Sequence, residues 1–537
     1  MLRLVFLAAT LALAGCVQPA LVVQIPPRAA QAPPVAPMPP SGPFTRAEAS
    51  GYTETTRYGE VLAFLEALRP RDGRMHAATM GYTNEGRRLP LVVWGDVADG
   101  TPETVRASGK VVVYVQANIH AGEVEGKEAM LVLLRDLAGG AHREWADSLV
   151  LLVAPIYNAD GNERVALTNR PLQLGPVGGM GQRPNAQGLD LNRDMMKLAS
   201  PEARSLARTL AAYEPAVVVD LHTTNGSTHG YHLTYSPGLH PSTPAPVTRF
   251  LRERLLPAVT EAIRARDGWE TYYYGNLGER PGLDGWATFD HRPRFVTNYA
   301  GLRGHISILS EAYSYAPFDE RIRVTLRFVE EVLDYAHAHA AEVRALVAGA
   351  PTGEPLALRS RFGPATPATI LLDDAAEEPN PYTGEIMLRR AGRLRPTPMN
   401  EYGTFEPAET TALPAAYLVP DTMRAVLDRL AAHGIAFSPA PEGPHAAERF
   451  RVDSSRVAAR AFQGARERTL FGAYERAAVR GSRYRIVEVA GPRAYLIGAL
   501  LEPRSDDGLA AWGLLDGALA GQRFYPILRV PAGPGRN

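Results

Sequence analysis

His120 and Glu123 stand three positions apart in the run Asn118-Ile119-His120-Ala121-Gly122-Glu123, and a second histidine, His222, follows much later in the chain. Two imidazoles and one carboxylate make a His₂Glu set, which binds zinc in catalytic sites and leaves one position open for water. A histidine and a glutamate at this spacing are common on surfaces, so the pair alone carries little weight. The distant histidine, which like the pair comes at the end of an apolar run, gives the set its meaning and points to a metal-dependent hydrolase. Glu125 and Glu128 compete with Glu123 for the carboxylate role, but both fall on the helical stretch that follows.

A second cluster is Gly188-Leu189-Asp190-Leu191-Asn192-Arg193-Asp194. Arg193 can hold a carboxylate through two parallel N–H donors, with Asn192 beside it. Asp190 can accept a hydrogen bond from a ligand histidine and orient its ring. An ordinary polar loop is the competing reading. Glu311 closes the apolar run Ile306-Ser307-Ile308-Leu309-Ser310. A carboxylate in that place is either hydrogen-bonded structure or a base positioned to move a proton.

These residues need strands to hold them. Continuous Val/Ile/Leu runs at Leu89–Trp94, Val111–Gln116, Leu149–Pro155, Ala216–Leu221 and Ile306–Ser310 read as strands buried on both faces. Helical patterns lie between them, at Gly126–Leu137, after Ser200-Pro201-Glu202, and over Pro246–Arg266 and Asp319–Val347. Ser200 fits an N-cap, Pro201 the first helical turn, and Glu202 the positive end of the helix dipole. The alternation predicts an α/β fold with a mixed, largely parallel sheet between helices. Ligands of such sheets gather at the carboxyl ends of the strands. His120, His222 and Glu311 all fall there, independently of any motif.

The region from 350 to 537 opens in a Pro/Gly-rich stretch and reads as a smaller α+β or β-rich accessory domain. Met423–His433 fits a short amphipathic helix, and Tyr484–Val489 with Arg493–Leu500 fit paired strands. A substrate-docking or partner-binding role is the alternative for this region.

At the other end, Met1-Leu2-Arg3 and the apolar stretch Leu4 to Ala14 have the form of an export signal, too short to span a bilayer. It ends in Leu13-Ala14-Gly15-Cys16, and Cys16 is the only cysteine. This resembles the bacterial lipoprotein signal, which implies cleavage before Cys16, a lipid on its thiol and a cell-envelope location. The outer membrane is implied if the cell is Gram-negative. The expected organisation is a signal peptide over 1–15, a Pro/Ala-rich tether over 16–43, a catalytic domain over 44–349 and the accessory domain over 350–537. Lys plus Arg and Asp plus Glu number 57 each, so there is no basic excess of the kind nucleic-acid binding shows. Hydrophobic residues at 45% and charged residues at 21% are globular proportions.

The order His-x-x-Glu, Asn-Arg, strand-end His, strand-end Glu resembles that of the zinc carboxypeptidase family, the funnelin-type metallocarboxypeptidases. The run Tyr157-Asn158-Ala159-Asp160-Gly161 is similar to the family's Asn-Pro-Asp-Gly loop, with Ala159 in place of proline. The resemblance extends from about Tyr52 to Val347. It implies one zinc ion on His120, Glu123 and His222, and a peptide substrate whose C-terminal carboxylate is held by Asn192 and Arg193. It makes Glu311 the general base and acid. It also implies an arginine on the scissile carbonyl, for which Arg183 is the best match and Arg170 the competitor. It implies a tyrosine upstream of the glutamate, for which Tyr299 is the match in the chain, with Tyr272, Tyr273 and Tyr274 as open alternatives. Arg294 and Arg303 read as surface arginines, with selection of acidic side chains as the alternative. His229 and His232 follow the ligand strand closely enough to shape the site. Two other readings stay open: an amidase of the same fold acting on murein peptides or acylated amino acids, and an inactive peptide-binding module.

Overall fold

The computed structural model describes residues 42–278, 282–349 and 354–532. The expected signal peptide, Cys16 and nearly all of the tether lie outside the described residues. No helix among the described residues is long and apolar enough to cross a membrane.

Ten strands organise the first part of the chain: β1 (Met75–Tyr82), β2 (Arg88–Trp94), β3 (Val111–Ala117), β4 (Leu149–Ala154), β5 (Val217–Thr223), β6 (Leu233–Pro237), β7 (Thr271–Tyr273), β8 (Asn276–Leu277), β9 (Gly285–Ala287) and β10 (Ile306–Ala312). Eight of them form one sheet in the order β1-β2-β4-β3-β5-β10-β6-β7. The inner four, β4, β3, β5 and β10, are parallel. The sheet turns antiparallel at β1–β2, β2–β4 and β10–β6. This is the mixed, largely parallel sheet expected. Every residue of β3, β4 and β5 is buried, as continuous β-branched and leucine runs demand when helices cover both faces.

Connectivity places the site. The helix Glu125–Ala138 leads from β3 to β4 on one side, whereas β5 lies against the other side of β3. Such a reversal of strand order opens a crevice beyond the carboxyl ends of the two strands. His120 emerges just past β3, His222 stands in the last turn-ward residues of β5, and Glu311 pairs in register with His222 on the neighbouring β10. The helix Pro201–Tyr213 is capped by Ser200 Oγ, which accepts from Ala203 N–H. The helical stretch expected over Pro246–Arg266 runs as Ala245–Phe250, a π-turn at Leu251–Leu255, and Leu256–Asp267.

The region after 350 is rich in strands, including the long pair Pro444–Val457 and Arg468–Arg480. The helix Arg424–Ala432 falls where the amphipathic pattern put it. Arg493–Leu500 does not form a strand: Ala494–Leu501 is a helix buried along its whole length. A short apolar run buried on all sides has no period that separates strand from helix. Packing is continuous with the first part of the chain. Strand Arg395–Tyr402 adds in parallel to β9, and Leu356, Leu430, Leu496 and Trp512 join the same apolar core as Val113 and Val219.

Candidate metal centre

His120 is delivered by a tight turn. Asn118 adopts φ +64, a left-handed conformation that asparagine tolerates better than most side chains. Asn158 N–H donates to Asn118 C=O, which ties this turn to the loop beyond β4. Gly181 lets a third loop approach, since a Cβ there would lie 2.6 Å from both Ala121 O and Gly161 O.

His120, Glu123 and His222 are buried and offer ligand atoms within 4.8 Å of one another. The two imidazoles are presented alike. His120 Nδ1 faces Glu123 Oε1 at 3.0 Å, and His222 Nδ1 faces Glu123 Oε2 at 2.9 Å. On the far side, His120 Nε2 lies 3.0 Å from Asp190 Oδ1 and His222 Nε2 lies 2.9 Å from Asp220 Oδ2. A carboxylate accepting from Nε2–H fixes the tautomer and leaves the Nδ1 lone pair free for a metal. Both Nδ1 atoms and the glutamate therefore converge on one point, and the donor set suits zinc. Asp220 is held in turn: Gln116 Nε2 donates to it at 2.9 Å, and Tyr114 OH donates to Gln116 Oε1. Asp220, Gln116 and Tyr114 were not singled out from the sequence. The period-two spacing of Asp220 and His222 along β5 was the available signal.

Without metal, charge holds the cluster together. Burial opposes the charged form of His222, but Asp220 and Glu123 overcome it and raise its pKa well above the usual imidazole value. Burial likewise works against ionised Glu123, yet His120 and Arg170 bring its pKa well below the usual range. Burial pushes Glu311 up to about 8, against His222 and with Glu123. A bound divalent cation would favour the ionised form of each carboxylate.

Zinc must displace the proton on His222, so its affinity is expected to rise with pH, by about tenfold per unit for one proton released. The same proton stabilises the metal-free fold below the unfolded imidazole pKa. That contribution is lost as pH rises through the raised folded value, so metal-free stability and zinc affinity run in opposite directions. Competition with a chromophoric chelator between about pH 6 and 8 measures this. Asp190→Asn should lower zinc affinity by about 10- to 100-fold in the same assay while the fold is retained.

The remaining sequence-derived residues divide. Arg183 donates to Asp190 Oδ2 at 2.9 Å and approaches Glu123 Oε1 at 3.5 Å. Arg170 comes closer to Glu123, at 2.9 Å, and also donates to Thr223 O and Thr224 O. Its φ of +49 is uncommon outside glycine and marks a residue held in place by its surroundings. Asn192 Nδ2 lies 3.3 Å from His222 Nε2, and its Oδ1 accepts from Val296 N–H. Arg193 stacks 3.9 Å over the Phe295 ring and sits 3.9 Å from Asp190 Oδ2. Glu125 and Glu128 point away: Glu125 pairs with Arg321 and Thr223, and Glu128 accepts from Thr55 and Thr56.

Tyr299 is not brought to the cluster. It is fully buried on the helix Val296–Leu302, with its hydroxyl 2.9 Å from His433 Nδ1. Chain distance from Glu311 was the only guide to it, and the helix turns it toward the C-terminal region instead. Neither arginine read as a surface residue is one. Arg294 is buried against Asp507 and Glu467, and Arg303 is buried beside Tyr299 and His433. The C-terminal region also reaches the site: Gln463 Oε1 accepts from Asp190 N–H at 2.7 Å.

A His₂Glu set at the switch point of an α/β sheet, with a carboxylate on the adjacent strand, is a donor set that can hold zinc and leave a position open. Residues 61–205 match the model of the zinc carboxypeptidase family. His222 and Glu311 lie beyond the matched residues, and the sheet brings them in. Carboxypeptidase 2 of Trichophyton rubrum is 30% identical over 186 residues, which are 34% of this chain and 31% of that protein. Carboxypeptidase 2 of Trichophyton equinum is 29% identical over 187 residues, with the same coverage. The chain thus spans about a third of the length of these curated relatives. Among solved structures, a metallo-carboxypeptidase from Burkholderia cenocepacia aligns with 52% of this chain and 69% of its own, at 19% identity and a TM-score of 0.39. Carboxypeptidase A from Helicoverpa armigera aligns with 54% of this chain and 75% of its own, at 17% identity and a TM-score of 0.40.

Proposed function

We propose that this protein is a zinc-dependent metallocarboxypeptidase that removes C-terminal residues from peptides. The observation that carries the reading is the matched presentation of two Nδ1 atoms around Glu123, with Glu311 in register beside His222. His120, Glu123 and His222 would hold the ion, and Asp190 and Asp220 would keep the rings oriented. When bound, zinc supplies a Lewis acid that polarises a carbonyl and acidifies a water molecule. Glu311 accepts the proton of the attacking water and returns it to the leaving amine. Arg183, with Arg170 beside it, offers positive charge to the carbonyl oxygen as it becomes anionic. Arg193 and Asn192 hold the free carboxylate of the peptide, which restricts attack to the last peptide bond. Export as a lipoprotein through Cys16 is part of the same proposal and rests on the sequence of the first sixteen residues alone.

The test is amino-acid release, followed by mass spectrometry, from a mixed peptide library that includes murein peptides. Zinc-loaded wild type is compared with Glu311→Gln. Loss of single C-terminal residues in wild type alone supports the proposal. Release from murein peptides alone replaces the substrate class with cell-wall peptides. No release from any member overturns it.

A further inference from the structure

At the end of the sheet opposite the metal centre, the starts of β3, β5 and β10 frame a cavity of about 320 Å³. Lys110, Arg303, Arg344 and Arg493 line it, and Glu214 is the one acidic residue in the lining. Glu214 is exposed and pairs with Arg493 at 2.6 Å. The other three cations have no carboxylate among the described residues. Lys110 donates to Asp96 O and Ala146 O, and Arg344 donates to Gly109 O.

Arg303 is the informative member. Its residue exposure is 3%, yet its partners are all neutral: Tyr299 OH, His433 O and His305 Nε2. Its Nη2 has no hydrogen bond among the described residues. A buried guanidinium is normally paired with an acid, because removing its charge from water is costly. His305 does not relieve the charge: burial, Arg303 and Arg493 lower its pKa to about 3 and keep it neutral. A second, separate vacancy in the pairing is Arg493 Nε, a buried donor with no partner. Unsatisfied buried donors are rare enough to need a reason.

We infer that this cavity is a binding site for a small polyvalent oxyanion, carrying a phosphoryl group or clustered carboxylates. Arg303 supplies the buried charge, Arg493 Nε a free donor, and Lys110 and Arg344 the electrostatic rim. Guanidinium groups match such anions through parallel N–H donors. The site is separate from the proposed catalytic centre and does not depend on it.

Calorimetric titration of the full chain with inorganic pyrophosphate and with citrate, at constant ionic strength set by sodium chloride, tests this. Saturable one-to-one binding of either anion is expected, together with a rise in Tm that chloride does not reproduce. Binding of pyrophosphate alone assigns the phosphoryl class, and of citrate alone the carboxylate class. Arg303 contributes to the fold through three hydrogen bonds, so the variants are Arg493→Gln and Lys110→Gln. Each should weaken binding by about tenfold, the loss of one charge-assisted contact, with an unchanged circular dichroism spectrum. Absence of saturable binding of both anions, or binding indifferent to both variants, overturns the inference.

Discussion

Glu311→Gln should abolish turnover while leaving the metal in place. Glutamine keeps the volume and one oxygen acceptor but has no basic site near neutral pH. Removing a general base costs about 10²- to 10⁴-fold in rate, and the same group serves both proton transfers here, so the upper end of that range is expected for kcat. Zinc content should stay at one ion per chain, because the ligand atoms belong to His120, Glu123 and His222. KM should change little, since the proposed carboxylate grip lies on Arg193 and Asn192. Single-turnover kinetics beside metal analysis decides the matter. Turnover within a few-fold of wild type would remove Glu311 from the role of base and leave it a half-buried strand-end carboxylate.

His120, His222 and Glu311 were legible in the sequence because each follows or closes a continuous apolar run. Val111–Ala117, Val217–Thr223 and Ile306–Ala312 are buried almost throughout, so their hydrophobic signal is strong and their ends are sharp. The outer strands gave no such signal. Met75–Tyr82 alternates irregularly between buried and part-exposed positions and contains two alanines and a glycine, a poor strand composition read in isolation. Leu233–Pro237 and Thr271–Tyr273 are too short to show a period. What failed was anything fixed by distant packing. The hydrogen bond from Asp190 N–H to Gln463 joins residues with no shared local pattern. The inward turn of Tyr299 depends on His433, which the C-terminal region supplies. Arg294 and Arg303 looked like surface arginines because only the fold shows how each is enclosed.

Arg321→Met should be among the most destabilising single changes in the chain. Arg321 is fully buried on the helix Phe318–Ala338. It donates to Leu174 O, Gly175 O, Ser314 O and Ala316 O, and it forms an ion pair with Glu125 at 3.4 Å. Glu125 stands two residues after Glu123 and also accepts from Thr223 Oγ1, next to His222. The arginine therefore ties together the loop around residue 174, the turn after β10 and the base of the metal centre. Methionine fills much of the space but leaves Leu174 O and Ala316 O without a donor and Glu125 without its cation in the core, while Ser314 O keeps Leu174 N–H and Gly175 O keeps Gln173 Nε2. Breaking a buried pair in this way costs about 3–5 kcal/mol. Urea denaturation of the metal-free protein should show that loss in the transition midpoint with little change in m-value. The double variant Glu125→Leu with Arg321→Met removes both charges and should recover part of the deficit, because an apolar pair leaves no ion unpaired. Recovery would assign most of the cost to the stranded carboxylate. An unchanged deficit would assign it to the carbonyls, and the loops flanking the metal centre would then owe their positions to hydrogen bonding by Arg321 rather than to its charge.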